Sequence, residues 1–255
     1  EAVDISVGAT TWYAWWDSGL VRKKMTDIDT DPAFLYGPAL SVKFTDDFNL
    51  TFIYLYGKFD SDVLNAVGGA EFKEKSKMKR NDSDLALNYR LNDYLKIFAG
   101  VKYMNFEYST RIHVSKLSFD PNDDFDIDVD HSGIGPGLGL SAVYPIADNL
   151  FLIGTLSGFY LWGNEDEKNA KMASLYPDWN IEYKFKEYGF NSTLQLAYYI
   201  AEISTTITLG GRYQYLKTDY DYNKEDDVKY QRYMVEKCTH KFYGATLTAT
   251  YSFNI

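Results

Sequence analysis

No stretch of this chain approaches the roughly 18 to 20 consecutive apolar residues that a membrane-spanning helix requires. Its most apolar segment, Leu150 to Trp162, is already broken by Gly154, Thr155, Ser157 and Gly158. A helical membrane protein is therefore excluded. Cysteine is almost absent: Cys238 stands alone, which excludes an internal disulfide and a CxxC metal site. Positive charge is scarce, with 26 Lys and Arg against 36 Asp and Glu for a net −10. A nucleic-acid partner would want clustered basic residues and is not expected. Proline-rich and Gly/Ser-rich linkers are missing too, so residues 1–255 read as one domain. No signal peptide is seen, and the opening Glu1-Ala2-Val3 suits a processed protein. What the chain has in excess is aromatic side chains, 17% of residues with 23 Tyr and 16 Phe, which excludes a disordered chain.

The dominant pattern is alternation at period two. Val3, Ile5, Val7, Ala9, Thr11, Tyr13 and Trp15 share one face, and Asp4, Ser6, Gly8, Thr10 and Trp12 the other. At the far end Leu247, Ala249, Tyr251, Phe253 and Ile255 alternate with Thr246, Thr248, Thr250, Ser252 and Asn254. Eight further segments lie between, paired by short turns at Thr45-Asp46-Asp47, Asn92-Asp93-Tyr94, Pro145 to Asn149, and Ala201-Glu202. The other five connections, about 17–33, 59–82, 109–132, 163–187 and 217–241, are long and polar. Long and short joins alternate strictly, which is the order of an up-and-down antiparallel barrel with both termini at the short-turn end. Ten strands with small polar residues on one face would make a poor water-soluble core, whereas a membrane barrel carries a polar lumen. Two aromatic belts complete the picture. Trp12, Trp15, Trp16, Tyr36, Tyr56, Tyr103, Tyr160, Trp162, Tyr213 and Tyr215 lie toward the long loops, and Phe44, Phe48, Tyr94, Tyr144, Tyr198 and Phe253 toward the short turns. The expected fold is all-β: a ten-stranded antiparallel up-and-down transmembrane β-barrel.

On these features the chain resembles a small bacterial outer-membrane β-barrel protein of no specific subfamily. The last segment, Tyr243 to Ile255, resembles the terminal assembly signal of that class, although it ends in Ile255 where the class usually ends in Phe. The resemblance implies a Gram-negative-type outer membrane with lipid and lipopolysaccharide around the wall. It also implies folding by the barrel-assembly machinery, periplasmic termini and short turns, and five extracellular loops.

Facing residues of an antiparallel pair share a side of the sheet, so each turn fixes a register. Leu91 opposite Leu95 places Arg90 against Lys96, Asn88 against Phe98 and Asp84 against Lys102, all inward. Ile200 opposite Ile203 places Asn191 against Arg212, and Lys43 also points inward. The expected lumen thus holds Lys43, Arg90, Lys96, Lys102 and Arg212 against Asp4 and Asp84, a basic balance that favours small anions. Solvent and loop carboxylates neutralising these cations is the plainer account. Gly135, Gly137 and Gly139 share an inner face, with Gly135 expected opposite Phe159 and with bulky neighbours filling the space they leave.

Asp124, Asp126, Asp128 and Asp130 repeat at every second residue, so an extended chain carries four carboxylates on one face. Oxygen ligands at that density suit a divalent cation such as Ca²⁺. The EF-hand glycine and closing glutamate are missing, and a hydrated acidic loop is the simpler expectation. The following register puts Phe125, Ile127 and Val129 on the lumen side, which predicts a bulge near Ser132-Gly133 or an inward-folded loop. Some ten-stranded barrels are surface proteases with Asp pairs and an Asp–His pair at the rim. Asp82 and Asp84 sit near the rim here, but His113, His131 and His240 lie in other loops, and Asp130-His131 point to opposite faces. No hydrolase motif emerges. Cys238 has no diagnostic neighbour in sequence, and the basic run from Glu71 to Arg80 suits a solvated loop, with contact to anionic lipid headgroups as the alternative. No enzyme and no cofactor is expected. A narrow channel for small polar or anionic solutes is the leading reading; a surface binding or adhesion protein, with the loops making contact, is the alternative, and a rim-located outer-membrane protease is a distant third.

Overall fold

Period-two alternation leaves each strand with one face to bury, and a long run of such strands satisfies its backbone groups by closing on itself. The computed structural model describes residues 3–18, 29–67, 70–115, 125–169, 181–221 and 237–255. Ten long strands run β1 (Asp4–Ser18), β3 (Ala33–Lys43), β4 (Phe48–Val67), β5 (Ala70–Arg90), β6 (Leu95–Ser115), β7 (Phe125–Ala147), β8 (Leu150–Asn169), β9 (Ile181–Ile200), β10 (Thr205–Asp221) and β11 (Lys237–Asn254). A two-residue strand β2 (Asp29–Thr30) pairs only with β4. Each long strand pairs antiparallel with its neighbours in sequence, β1 pairs with β11, and the ring has no free edge. The fold is an all-β, ten-stranded, closed, up-and-down antiparallel barrel.

The turns follow their local chemistry. Thr45 Oγ1 accepts from the backbone N–H of Phe48 at 3.0 Å, and Asn92 Oδ1 from that of Tyr94 at 2.9 Å, each side chain completing its turn. After β9 the chain makes a short 3-10 turn, Ala201–Ile203, and Ser204 takes a left-handed conformation at φ 48°. That turn uses two more residues than the expected one, so Arg212 faces Thr193 and Asn191 faces Gln214. Likewise β7 runs on to Ala147 with a bulge between Pro145 and Ala147, so Phe159 faces Gly137 rather than Gly135. Both slips are by two residues, and every side chain keeps its face. The register of β7 is unbroken at Ser132-Gly133, where a bulge was expected, and Ile127 and Val129 lie on the inner side.

Six of the strands, β4 to β9, span 20 residues or more, whereas about 9 to 11 cross a bilayer. Much of what read as loop from 59 to 82 is a continuous hairpin, Phe48–Val67 with Ala70–Arg90. The outer surface shows where the wall leaves the lipid. Leu85, Leu87, Ile97, Val101, Leu138, Leu140, Leu194, Leu196, Leu209 and Leu247 are exposed around the lower wall. Above them a polar ladder crosses four strands on the outside. Tyr54 donates to Asn81 (2.8 Å), Asn81 to Asn105 (3.1 Å), and Asn105 to Asp130 (2.7 Å). Side-chain amides do not sit in hydrocarbon without cost, so this row marks the edge of the apolar band. Trp15, Tyr36, Tyr56, Tyr103, Tyr160, Trp162, Tyr213 and Tyr215 share the outer parity of that belt, but Trp12 and Trp16 do not. Both point inward, and Trp12 is wholly buried.

Candidate functional site

The barrel interior has four levels. At the short-turn mouth is a vestibule of about 780 Å³, lined among others by Asp4, Lys43, Arg90, Asp93 and Lys96. Lys43 pairs with Asp46 at 2.9 Å and Asp4 at 3.7 Å, and Arg90 with Asp93 at 2.9 Å. Lys96 has no carboxylate within ion-pair distance among the described residues.

Deeper in the barrel lies a cavity of about 300 Å³, lined by Thr10, Thr51, Ser141, Thr155, Ser157, Thr193, Gln195 and Thr248 together with Asp84, Lys102 and Arg212. The inner glycines do not simply widen it. A Cβ on Gly139 would meet the Phe98 ring at 2.5 Å, and one on Gly189 the Phe159 ring at 2.9 Å, so the aromatic rings occupy that room. Lys102 reaches both oxygens of Asp84 at 3.0 Å, the ion pair expected from the register.

Above this cavity the lumen is sealed. Trp12, Leu35, Leu55, Phe59, Met78, Met104, Phe106, Leu161, Leu216 and Phe242 form a buried apolar core across the barrel. Buried within it, Arg80 grips Asp82 through Nη2 (2.6 Å) and Nε (3.2 Å) and donates to Gln214 on the opposite wall. Its guanidinium stacks 3.9 Å from the Phe242 ring centroid. Asp82, expected at the rim, is thus a buried counter-ion 1% exposed. No histidine hydrogen-bonds Asp82 or Asp84 among the described residues, so the Asp–His geometry of a rim protease is not assembled there.

Beyond the polar ladder, where the outward neighbours are Asp130 and Lys241, the wall carries a second inward cluster. His131 lies on β7 and His240 on β11, not in loops. His131 stacks face to face on Phe185 at 3.8 Å, with Nδ1 2.7 Å from Glu165 and Nε2 3.5 Å from Glu187. Tyr220 donates to Glu165, and Thr218 to Glu187. Although burial opposes the charge, hydrogen bonds to both glutamates lift His131 to about 9, so it is an imidazolium at neutral pH. His240 goes the other way. Burial lowers it to about 4, and its Nδ1 accepts from the Trp16 indole at 3.1 Å. A neutral ring accepting there carries its proton on Nε2, which faces Cys238 Sγ at 3.2 Å. Burial, helped by Glu165 and Glu187, pushes the Cys238 thiol up to about 12. The Cys–His contact is therefore a donor to sulfur rather than a base beside a nucleophile.

These two histidines shape the pH dependence with opposite signs. His131 is raised, so its contribution is complete below about 6.5 and disappears as pH climbs through 9. His240 is depressed, so the fold loses stability as pH falls from about 6.5 toward 4. Stability is expected to peak near pH 6.5. In vesicle-reconstituted protein the decline from pH 7 to 10 should shrink in His131→Asn, and the decline below pH 6 in His240→Asn. Unchanged pH profiles in both variants would remove histidine from the account.

The acidic repeat is spread along the outside of β7. Asp126 is committed to Arg111 at 2.8 Å and Asp130 to Asn105. Asp128 follows the same outward parity, and Asp124 lies outside the described residues. No group of three His, Cys, Asp or Glu suited to a metal occurs among the described residues. His113 is on β6, beyond the side chains described. Sequence reasoning missed Arg80, Gln214, Glu165 and Glu187; inward parity alone marked them, because partners across a lumen leave no spacing signal.

No protein-family model and no curated protein matches the chain. Among solved structures it is similar to the outer membrane protease OmpT from Escherichia coli, at 12% identity and TM-score 0.55, over 99% of this chain and 96% of that one. The fold is that of the bacterial outer-membrane β-barrels. A major outer membrane protein from Thermus thermophilus matches at 14% identity and TM-score 0.42, over 98% and 99% of the two chains. The outer membrane protein OprG from Pseudomonas aeruginosa matches at 12% and 0.40, over 99% and 95%.

Proposed function

We propose that this chain is a gated outer-membrane conduit for small polar or anionic solutes, non-enzymatic, with termini and short turns in the periplasm. The asymmetry of its interior carries the reading. A barrel serving only as an anchor has every reason to fill its lumen, as small barrels do. Here only the half beyond the mid-lumen is filled, while the other half holds a polar vestibule lined by Lys43, Arg90 and Lys96 and a separate cavity lined by Lys102 and Arg212. The dry core is the gate, and transport requires Arg80, Asp82 and Gln214 to part. Likeness to a protease supplies the barrel alone, and the ion pairs of Asp82 with Arg80 and of Asp84 with Lys102 support the non-enzymatic reading.

The completeness of the seal favours a second reading, a surface binding protein whose wall and loops beyond the membrane make the contacts. Planar-bilayer recording separates the two. The conduit predicts infrequent discrete steps, anion-leaning in reversal potential, with the preference reduced in Lys96→Glu. Silence under all voltages, with cell or matrix binding that is lost on trimming residues 222–236, would favour the surface protein.

A further inference from the structure

Of the lumen cations expected from the sequence, Arg212 in the mid-lumen cavity and Lys96 in the vestibule are left without an ion-pair partner among the described residues. Arg80 has Asp82, Lys102 has Asp84, Arg90 has Asp93, and Lys43 has Asp4 and Asp46. Arg212 has no carboxylate within ion-pair distance among the described residues. Its Nε is buried with no hydrogen-bond partner, and Nη2 makes only a long 3.4 Å contact with Asn191. The guanidinium lies 4.4 Å from the Trp12 ring centroid, which holds its plane but supplies no counter-charge. Arg212 is half-buried, and Asp82 and Asp84 act on it only from beyond ion-pair distance, so an anion in the adjoining cavity would give the guanidinium the direct partner it lacks.

We infer that the mid-lumen cavity is a binding site for a small monocarboxylate, anchored by Arg212; the inference rests on reading the lumen as solute-accepting. At the mid-lumen the three cations Arg80, Lys102 and Arg212 face the two carboxylates Asp82 and Asp84, a surplus of one positive charge, which argues for a monoanion over a phosphate dianion. The free Nε and weakly engaged Nη2 form the edge of the guanidinium that takes a carboxylate through two parallel hydrogen bonds. Thr193, opposite Arg212, and Ser157, opposite Asn191, add hydroxyl donors on the neighbouring strands. Phe98 and Phe159 wall the cavity with apolar surface for a short hydrocarbon tail. At about 300 Å³ it has the volume of on the order of ten waters, enough for a short-chain acid. Lys96, unpaired in the vestibule below, lies on the route inward.

Calorimetric titration of the detergent-solubilised protein tests the site with three probes: butyrate, its neutral isostere butyramide, and inorganic phosphate. Butyrate is expected to bind in the millimolar range with butyramide and phosphate at least tenfold weaker. Arg212→Gln should lose at least tenfold of the butyrate affinity, and Arg212→Lys should keep part of it. Folding of each variant is checked by retention of the compact band on unheated SDS gels. The wild-type comparison of butyrate with butyramide stands even if a variant fails to fold. Equal binding of butyrate and butyramide, phosphate binding tighter than butyrate, or a folded Arg212→Gln with wild-type affinity would each overturn the site. Bilayer recordings keep the two readings apart: butyrate binding to a silent barrel ends the conduit and keeps the site, and a conducting barrel that ignores butyrate does the reverse.

Discussion

Asp82→Ala is expected to cost about 3–5 kcal/mol of unfolding free energy, because it strands the Arg80 guanidinium in a dry interior. Arg80 has no exposed surface, and Asp82 receives two of its hydrogen bonds. Gln214 offers Arg80 an amide oxygen but no charge, and Nη1 already lacks a partner. Lys102, 4.0 Å from Asp82, would lose a neighbour as well. The double variant Arg80→Leu/Asp82→Leu should recover most of the loss, since replacing a buried pair by apolar groups is often close to neutral. Urea unfolding in phosphatidylcholine vesicles, followed by tryptophan emission, measures both. A loss below about 1 kcal/mol in the single variant would mean that water reaches the guanidinium and the gate is not dry.

Phe242→Ala should be comparably costly, about 3–5 kcal/mol, and should also change the electrical behaviour of the barrel. The ring lies under the Arg80 guanidinium and stacks near-parallel to Trp16 (6.1 Å) and Phe106 (6.2 Å), with Trp12 edge-on at 6.3 Å. Removing it takes out the piece that touches most of the gate. If the conduit reading holds, discrete current steps in planar bilayers should become more frequent and larger than wild type. A variant that is destabilised yet as silent as wild type would leave the interior as a stabilising core with no role in passage.

Strand parity was legible because the period of two survives any slip by an even number of residues. That is why Asp84 opposite Lys102 held and why Arg212, although two residues out of register, still faces inward. The slips themselves lay in what cannot be counted from spacing: a left-handed Ser204 after a 3-10 turn, and a bulge before Ala147. Strand ends were harder to read. Beyond the polar ladder the wall meets water outside, so Lys75, Lys77 and Lys79 continue a strand whose outward face carries no apolar signal. Aromatic belts were read by height alone, which placed Trp12 and Trp16 in lipid although their parity is that of Thr10 and Ala14. The cross-lumen cluster was the least legible feature, since Arg80 and Gln214 are 134 residues apart and meet only because the barrel closes.

A vestibule filled with electrolyte conducts, whereas a dry aromatic core does not. If the conduit reading holds, a voltage across the membrane falls mainly over the short stretch between Arg212 and the His131 cluster, not over the full height of the wall. Carrying one elementary charge through a 100 mV drop is worth about 2.3 kcal/mol. The Arg80–Asp82 pair is neutral as a unit and feels little of that force while it stays together. Arg212 carries a net charge at the edge of that stretch with no carboxylate in ion-pair contact, so on the conduit reading the residue that would hold an anion is also the one on which a potential would act.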